Sequence, residues 1–216
     1  MFVRINDVEL FYEIQGQGSP IILLHGNGED HKIFKTLLKV LTKTHKVYTI
    51  DSRCHGQSSV SEKLTYDLMA DDIIRFIKKL NIQKPILYGF SDGGIIGLLI
   101  AIREPLLLKK LIISGANLNP EGLHPKVLAK VQRLADKGNY LYKLMANEPN
   151  INPLDLAKIE IPVVVLAGEK DVVLEEHTRL IANSIRRSTI EIIPKEDHSS
   201  YIVHSKKLYP ILSKYL

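Results

Sequence analysis

Strand-length runs of β-branched and aliphatic residues recur along this chain, each separated from the next by a segment with helical spacing: "PIILLHG", "HKVYTID", "PILYGF", "LKKLIISGA" and "IPVVVLAG". A strand that is apolar on both faces must be covered on both, and the connection that does so repeatedly lays a helix across a parallel sheet. The intervening segments supply those helices. "HKIFKTLLKVLTKT" is apolar at Ile33, Phe34, Leu37, Leu38 and Leu41, and "LTYDLMADDIIRFIKKLNI", "GGIIGLLIAIRE" and "LEEHTRLIANSIR" follow the same period. "FVRI" and "VELFYEI" flank Asn6-Asp7 and read as an antiparallel hairpin, "STIEIIP" as a last strand, and "IVHSKKLYPILSKYL" as a final helix. The expected class is therefore α/β: a mostly parallel eight-stranded sheet with helices on both faces. Only residues 119–160 break the rhythm, so the division is a core of 1–118 and 161–216 with a small insertion over 119–160.

With 216 residues, 45% hydrophobic and 25% charged, the chain suffices for one sizeable core. No window approaches the ~20-residue apolar run of a membrane span, and "MFVRINDVELFYEIQGQG" alternates in polarity, so a soluble, unprocessed, cytoplasmic protein without membrane association is expected. One cysteine, Cys54, excludes an internal disulfide. The net charge of +5 comes from lysines scattered through segments such as "RFIKKLNIQK", with no basic cluster interleaved with aromatics. Nucleic acid is thus not an expected partner.

In such sheets ligands bind beyond the carboxyl ends of the strands, so those ends carry the argument. After "PILY" the chain reads Gly89-Phe90-Ser91-Asp92-Gly93, a G-x-S-x-G sequence between a predicted strand and a predicted helix. The glycines leave room for a sharp turn, and the serine hydroxyl stands exposed at a helix N-terminus whose dipole favours developing negative charge. Without its strand and helix this would read as a glycine-rich turn with a capping serine. A serine hydroxyl attacks only if a base takes its proton, which calls for a histidine and an orienting acid at other strand ends. Of eight histidines, His198 follows the last strand and lies after the serine, whereas His31, His45, His124, His177 and His204 read as surface or satisfied side chains. Asp171, after "VVVLAGEK", is the expected acid, with Glu169 as its competitor; a helix cap is the plainer role for Asp171. Two backbone N–H donors for an oxyanion are expected at Asp92 and at Asn27, within "HGNG", where His25 reads as structural.

Four motifs, "LHGNG", "DSRCHGQS", "GFSDGG" and "GEKD" with "EDH", spread in order over the whole chain, resemble those of the α/β-hydrolase fold family, in its serine-esterase-like group. Cys54 stands where that family usually has glycine, a departure that touches loop packing. The resemblance implies acyl transfer to water by Ser91, Asp171 and His198 on a small-molecule ester, thioester, lactone or activated amide. It implies no cofactor and no metal, and a monomer or homodimer. Serine at the nucleophile position argues against dehalogenase or epoxide-hydrolase chemistry. A non-catalytic, receptor-like domain is the alternative, and a perhydrolase activity would use the same residues. By the same resemblance 119–160 is a short helical cap, with Tyr140, Tyr142, Leu144 and Met145 either lining an acyl pocket or packing the cap on the body. The elbow is also similar to that of biphenyl-hydrolase-like and valacyclovirase members, which leaves two directions for the Asp92 side chain: a structural hydrogen bond, or recognition of a substrate amine.

Overall fold

The computed structural model describes all 216 residues. Eight strands form one sheet in the order β1-β2-β4-β3-β5-β6-β7-β8. They are β1 Phe2–Ile5, β2 Val8–Gln15, β3 Ser19–Leu24, β4 His45–Ile50, β5 Ile86–Phe90, β6 Lys110–Ser114, β7 Val163–Lys170 and β8 Ser188–Asp197. From β4 to β8 along the sheet every pairing is parallel; the β1–β2 and β2–β4 pairings are antiparallel, so β2 alone runs against the other strands. The sheet grows from β3 toward β4 on one side and toward β5 on the other, so the order reverses at β3 and a crevice opens beyond its carboxyl end.

The continuous apolar runs divide residue by residue between two cores, as the period of two demands. Ile22 and Leu24 of β3, Leu87 of β5 and Leu111 and Ile113 of β6 face the larger core. Helices α2 (Tyr66–Lys79), α3 (Asp92–Arg103) and α6 (Glu175–Ser184) cover it. Ile21, Leu23, Tyr88, Phe90 and Ile112 face the other, under α1 (Lys35–Leu41) and α7 (Leu208–Leu212). Helix α2 starts where the Thr65 hydroxyl accepts the Leu68 N–H at 3.1 Å. The 51–58 loop is pinned to it by Arg53, whose fully buried guanidinium donates two bonds to Asp72, at 2.6 and 2.8 Å.

Two helical expectations shorten. The segment at 31–41 opens as a 3-10 turn, His31–Phe34, before α1 begins. The last helix is confined to five residues: His204 adopts φ +52°, outside helical space, and its N–H donates to Ile33 O at 2.9 Å, tying that turn to the start of α1. Between β6 and β7 lie α4 (Pro125–Asp136) and α5 (Tyr140–Asn147). On α4 only Val131 is buried. Together with Leu123 and Val173 it forms a small cluster against which Val127, Tyr142 and Met145 pack. No helix is long and apolar enough to cross a membrane.

Candidate active site

Ser91 follows β5 directly, Asp171 follows β7 and His198 follows β8, which brings the three to one end of the sheet. Ser91 has φ +52° and ψ −113°, a conformation that costs a non-glycine residue about 1–3 kcal/mol and must be held by its surroundings. Its N–H donates to Ser114 O at 2.8 Å, and its carbonyl accepts from Gly94 and Ile95. The glycines are dictated by close approach: a β-carbon on Gly89 would lie 2.1 Å from Gly93 O, and one on Gly93 2.4 Å from Leu24 O.

The Ser91 Oγ lies 3.1 Å from His198 Nε2, and His198 Nδ1 lies 2.6 Å from Asp171 Oδ1. Asp171 is buried; Oδ1 also accepts the Val173 N–H at 3.0 Å, and Oδ2 accepts that of Gly168 at 3.3 Å. These bonds orient the carboxylate, and Asp171 caps no helix, since α6 begins after Leu174. Glu169 is exposed and accepts the Lys195 N–H at 2.7 Å, away from the imidazole. The His198 ring packs on Phe90, centroids 4.9 Å apart, and over Gly115, where a β-carbon would fall 2.6 Å from Cε1.

Neither the Asn27 N–H nor the Asp92 N–H has an acceptor within the protein. The loop carrying Asn27 is set by His25, whose Nδ1 bonds Gly26 O at 2.8 Å while Nε2 accepts the Ser52 N–H at 3.0 Å. That arrangement needs a neutral ring. Burial, helped by the neighbouring His55, pushes its pKa down to about 4. Asp92 is buried, and its carboxylate accepts from the Tyr66 hydroxyl at 2.7 Å and from Asn27 Nδ2 at 3.0 Å. Burial pushes this carboxyl up, and the two bonds oppose that rise. Both oxygens are engaged, which is the structural one of the two directions open to Asp92. Asn27 Nδ2 also reaches Leu141 O at 3.3 Å, so the chain of bonds ties the elbow and the β3 loop to α5.

Ser91 and His198 open into a cleft of about 230 Å³ walled by Phe90, Val127, Val131, Tyr142, Met145 and Val172. A recess of about 30 Å³ lies on the other side of them, beside Tyr66, Asp92 and Glu148. Tyr142 and Met145 thus line the cleft. Tyr140 does not: it is 49% exposed and its hydroxyl donates to Cys54 O at 3.3 Å, outside the wall. Leu144 is buried in the larger core. Cys54 has φ +64°, which explains why a glycine would sit there without strain. Glu29, which also lines the cleft, was not anticipated; an acid three residues past the Gly26 turn was the available signal.

A model described as the alpha/beta hydrolase fold matches residues 19–144, more than half of the chain. The chain belongs to the α/β-hydrolase fold family. Among the relatives of this hydrolase-fold chain, the serine hydrolase BPHL of Homo sapiens is 26% identical over 93% of this chain and 80% of its own length. A putative non-heme chloroperoxidase of Synechocystis is 26% identical over 97% and 95%, in an alignment of 270 positions against the 216 residues here, so that relative carries extra residues. An sn-1-specific diacylglycerol lipase of Danio rerio is 31% identical over 61% of this chain, and the chain spans only 43% of that lipase. Of solved structures, an esterase of Exiguobacterium antarcticum superposes with a TM-score of 0.86 at 21% identity, covering 99% of this chain and 98% of its own. That likeness shows the fold.

Proposed function

We propose that this protein is a serine hydrolase that cleaves a small ester, thioester, lactone or activated amide through an acyl-enzyme intermediate. The observation that carries the reading is the hydrogen-bonded series Ser91 Oγ, His198, Asp171 opening into a cleft. With Nδ1–H held by Asp171, the imidazole presents Nε2 as the base for the Ser91 proton. Ser91 Oγ attacks the acyl carbon, its proton passes to His198 Nε2, and the carbonyl oxygen becomes an oxyanion facing the Asn27 and Asp92 N–H groups. Collapse expels the alcohol, thiol or amine, which takes the proton from His198. A water then repeats the sequence on the acyl-enzyme and releases the acid and free Ser91. Residues 119–160 act as the cap in this reading, with Tyr142 and Met145 against the substrate. The names of the relatives, a serine hydrolase and a lipase among them, support hydrolysis. The test is labelling by a fluorophosphonate probe: wild type labels and Ser91→Ala does not. Absence of labelling in a folded wild type would instead favour a binding domain.

A further inference from the structure

The cleft holds one acid that the hydrolytic cycle leaves unused. Glu29 sits on the loop after β3, half-buried, with Oε2 accepting the Gly26 N–H at 3.0 Å. Its other oxygen has no hydrogen-bond partner, and no lysine or arginine comes within 4.0 Å of it. A β-carbon built on Gly26 would lie 2.9 Å from Glu29 Oε2 and 3.1 Å from the Ser91 β-carbon, so carboxylate and nucleophile flank the same small volume. Burial pushes the Glu29 carboxyl up, while the Gly26 N–H and the nearby His198 oppose that rise. The cleft's one other fixed charge, Lys130, is exposed on α4 at the rim, where water screens it. Asp92 does not line this cleft, and each of its oxygens already accepts one bond from the protein, from the Tyr66 hydroxyl and from Asn27 Nδ2.

A partly desolvated carboxylate with a free oxygen discriminates by charge. A cation entering beside it restores what burial removed, a neutral group does not, and an anion adds repulsion in a low dielectric. Resting on the serine-hydrolase reading, we propose that Glu29 is a specificity-determining residue that makes this cleft select acyl substrates carrying an ammonium group near the scissile bond and discriminate against those carrying an anion there. The attraction between a partly desolvated carboxylate and a cation seated against it, which needs no N–H on the cation, is worth about ten- to a hundredfold in selectivity.

Glu29→Gln is the decisive variant, because the amide oxygen can still accept the Gly26 N–H and so keeps the loop braced while the charge is lost. The substrates are acetate esters of choline, of its uncharged isostere 3,3-dimethylbutanol, and of 4-hydroxybutanoate. In wild type at pH 8, kcat/KM is expected to fall at least about tenfold from the choline ester to the neutral ester and again to the anionic ester, by charge alone. In Glu29→Gln the three should fall within about twofold of one another. Independently of any variant, tetramethylammonium should inhibit wild-type p-nitrophenyl acetate hydrolysis competitively. Equal rates in wild type without that inhibition, or ratios that persist in Glu29→Gln, overturn the inference. So does a preference for the anionic ester that disappears in Lys130→Met. Turnover of the neutral ester by Ser91→Ala at the wild-type rate would overturn the hydrolase reading itself, whereas an inactive Ser91→Ala beside a charge-blind wild type overturns only the role of Glu29.

Discussion

Two histidine–aspartate pairs in this molecule have hydrogen bonds of nearly equal length. His198 Nδ1 lies 2.6 Å from Asp171, and His31 Nδ1 lies 2.7 Å from Asp51. The difference is what else each member meets. Asp51 also accepts the His31 and Gln57 N–H groups and is closed over by Gly56, where a β-carbon would fall 2.2 Å from its carboxylate. The second His31 nitrogen points toward Glu13, 3.7 Å away, with no nucleophile beside it. His198 keeps 19% of its side chain accessible against 7% for His31, and its second nitrogen meets a strained serine in an open cleft. An imidazole held by a carboxylate is a brace or a base according to what faces the other nitrogen.

The comparison breaks hardest at Ser91. Ser91→Ala should cut p-nitrophenyl acetate turnover by at least about 10⁴-fold, with an unchanged or raised melting temperature because it removes no buried contact at a strained turn. Full activity in that variant would reduce the His198 pair to a brace like the other. Asp171→Asn should lower kcat by about 10⁴-fold, since the amide favours the wrong ring tautomer. Steady-state kinetics should show little change for Glu169→Gln, and the reverse ranking would move the orienting role to Glu169.

Asp51→Asn sharpens the contrast from the other side. It removes acceptor capacity from a fully buried group, so chemical denaturation should register a loss of about 1–3 kcal/mol, while kcat of the folded variant stays within about threefold of wild type. A smaller effect is expected at Tyr66→Phe, which takes one bond from Asp92 and loosens the hold on Asn27. There kcat should fall a few-fold with KM little changed, because a displaced oxyanion donor is felt in the transition state.

A pH-dependent signal separates the buried, neutral His25 from the cleft-facing His198. The His25 pKa is about 4 in the folded chain against 6.5 for the free side chain. As pH falls from about 6.5 the unfolded chain takes up this proton first, so stability is lost progressively down to about pH 4 and is fully present above the unfolded value. His177, also pushed down by burial, adds to the slope. Thermal melts across that window should show the decline, and His25→Asn should flatten it; an unchanged slope would remove His25 as its source.

Much of this was written locally. The alternation of "PIILLHG" and its kin with helical segments determines a parallel sheet buried on both faces, because period-two burial on two sides leaves no polar positions in a strand. G-x-S-x-G at a strand end determines the tight turn, because only glycines survive at 89 and 93 beside backbone 2.1 and 2.4 Å away. Other features depend on residues far apart in the chain. Whether Asp171 or Glu169 meets His198 is decided by the end of β7, where the pairing with β8 shifts register between Gly168 and Lys170. The last helix stops short because His204 bonds to Ile33, a partner 171 residues away that no local propensity encodes. Tyr140 turns out to Cys54, Asp92 turns in to Tyr66 and Asn27, and Glu29 is left facing the cleft with half its hydrogen-bonding capacity free. Periodicity fixes which face of an element is apolar, but the partner of a polar side chain is whichever group the sheet order brings within about 3 Å, and that is a property of the assembled fold.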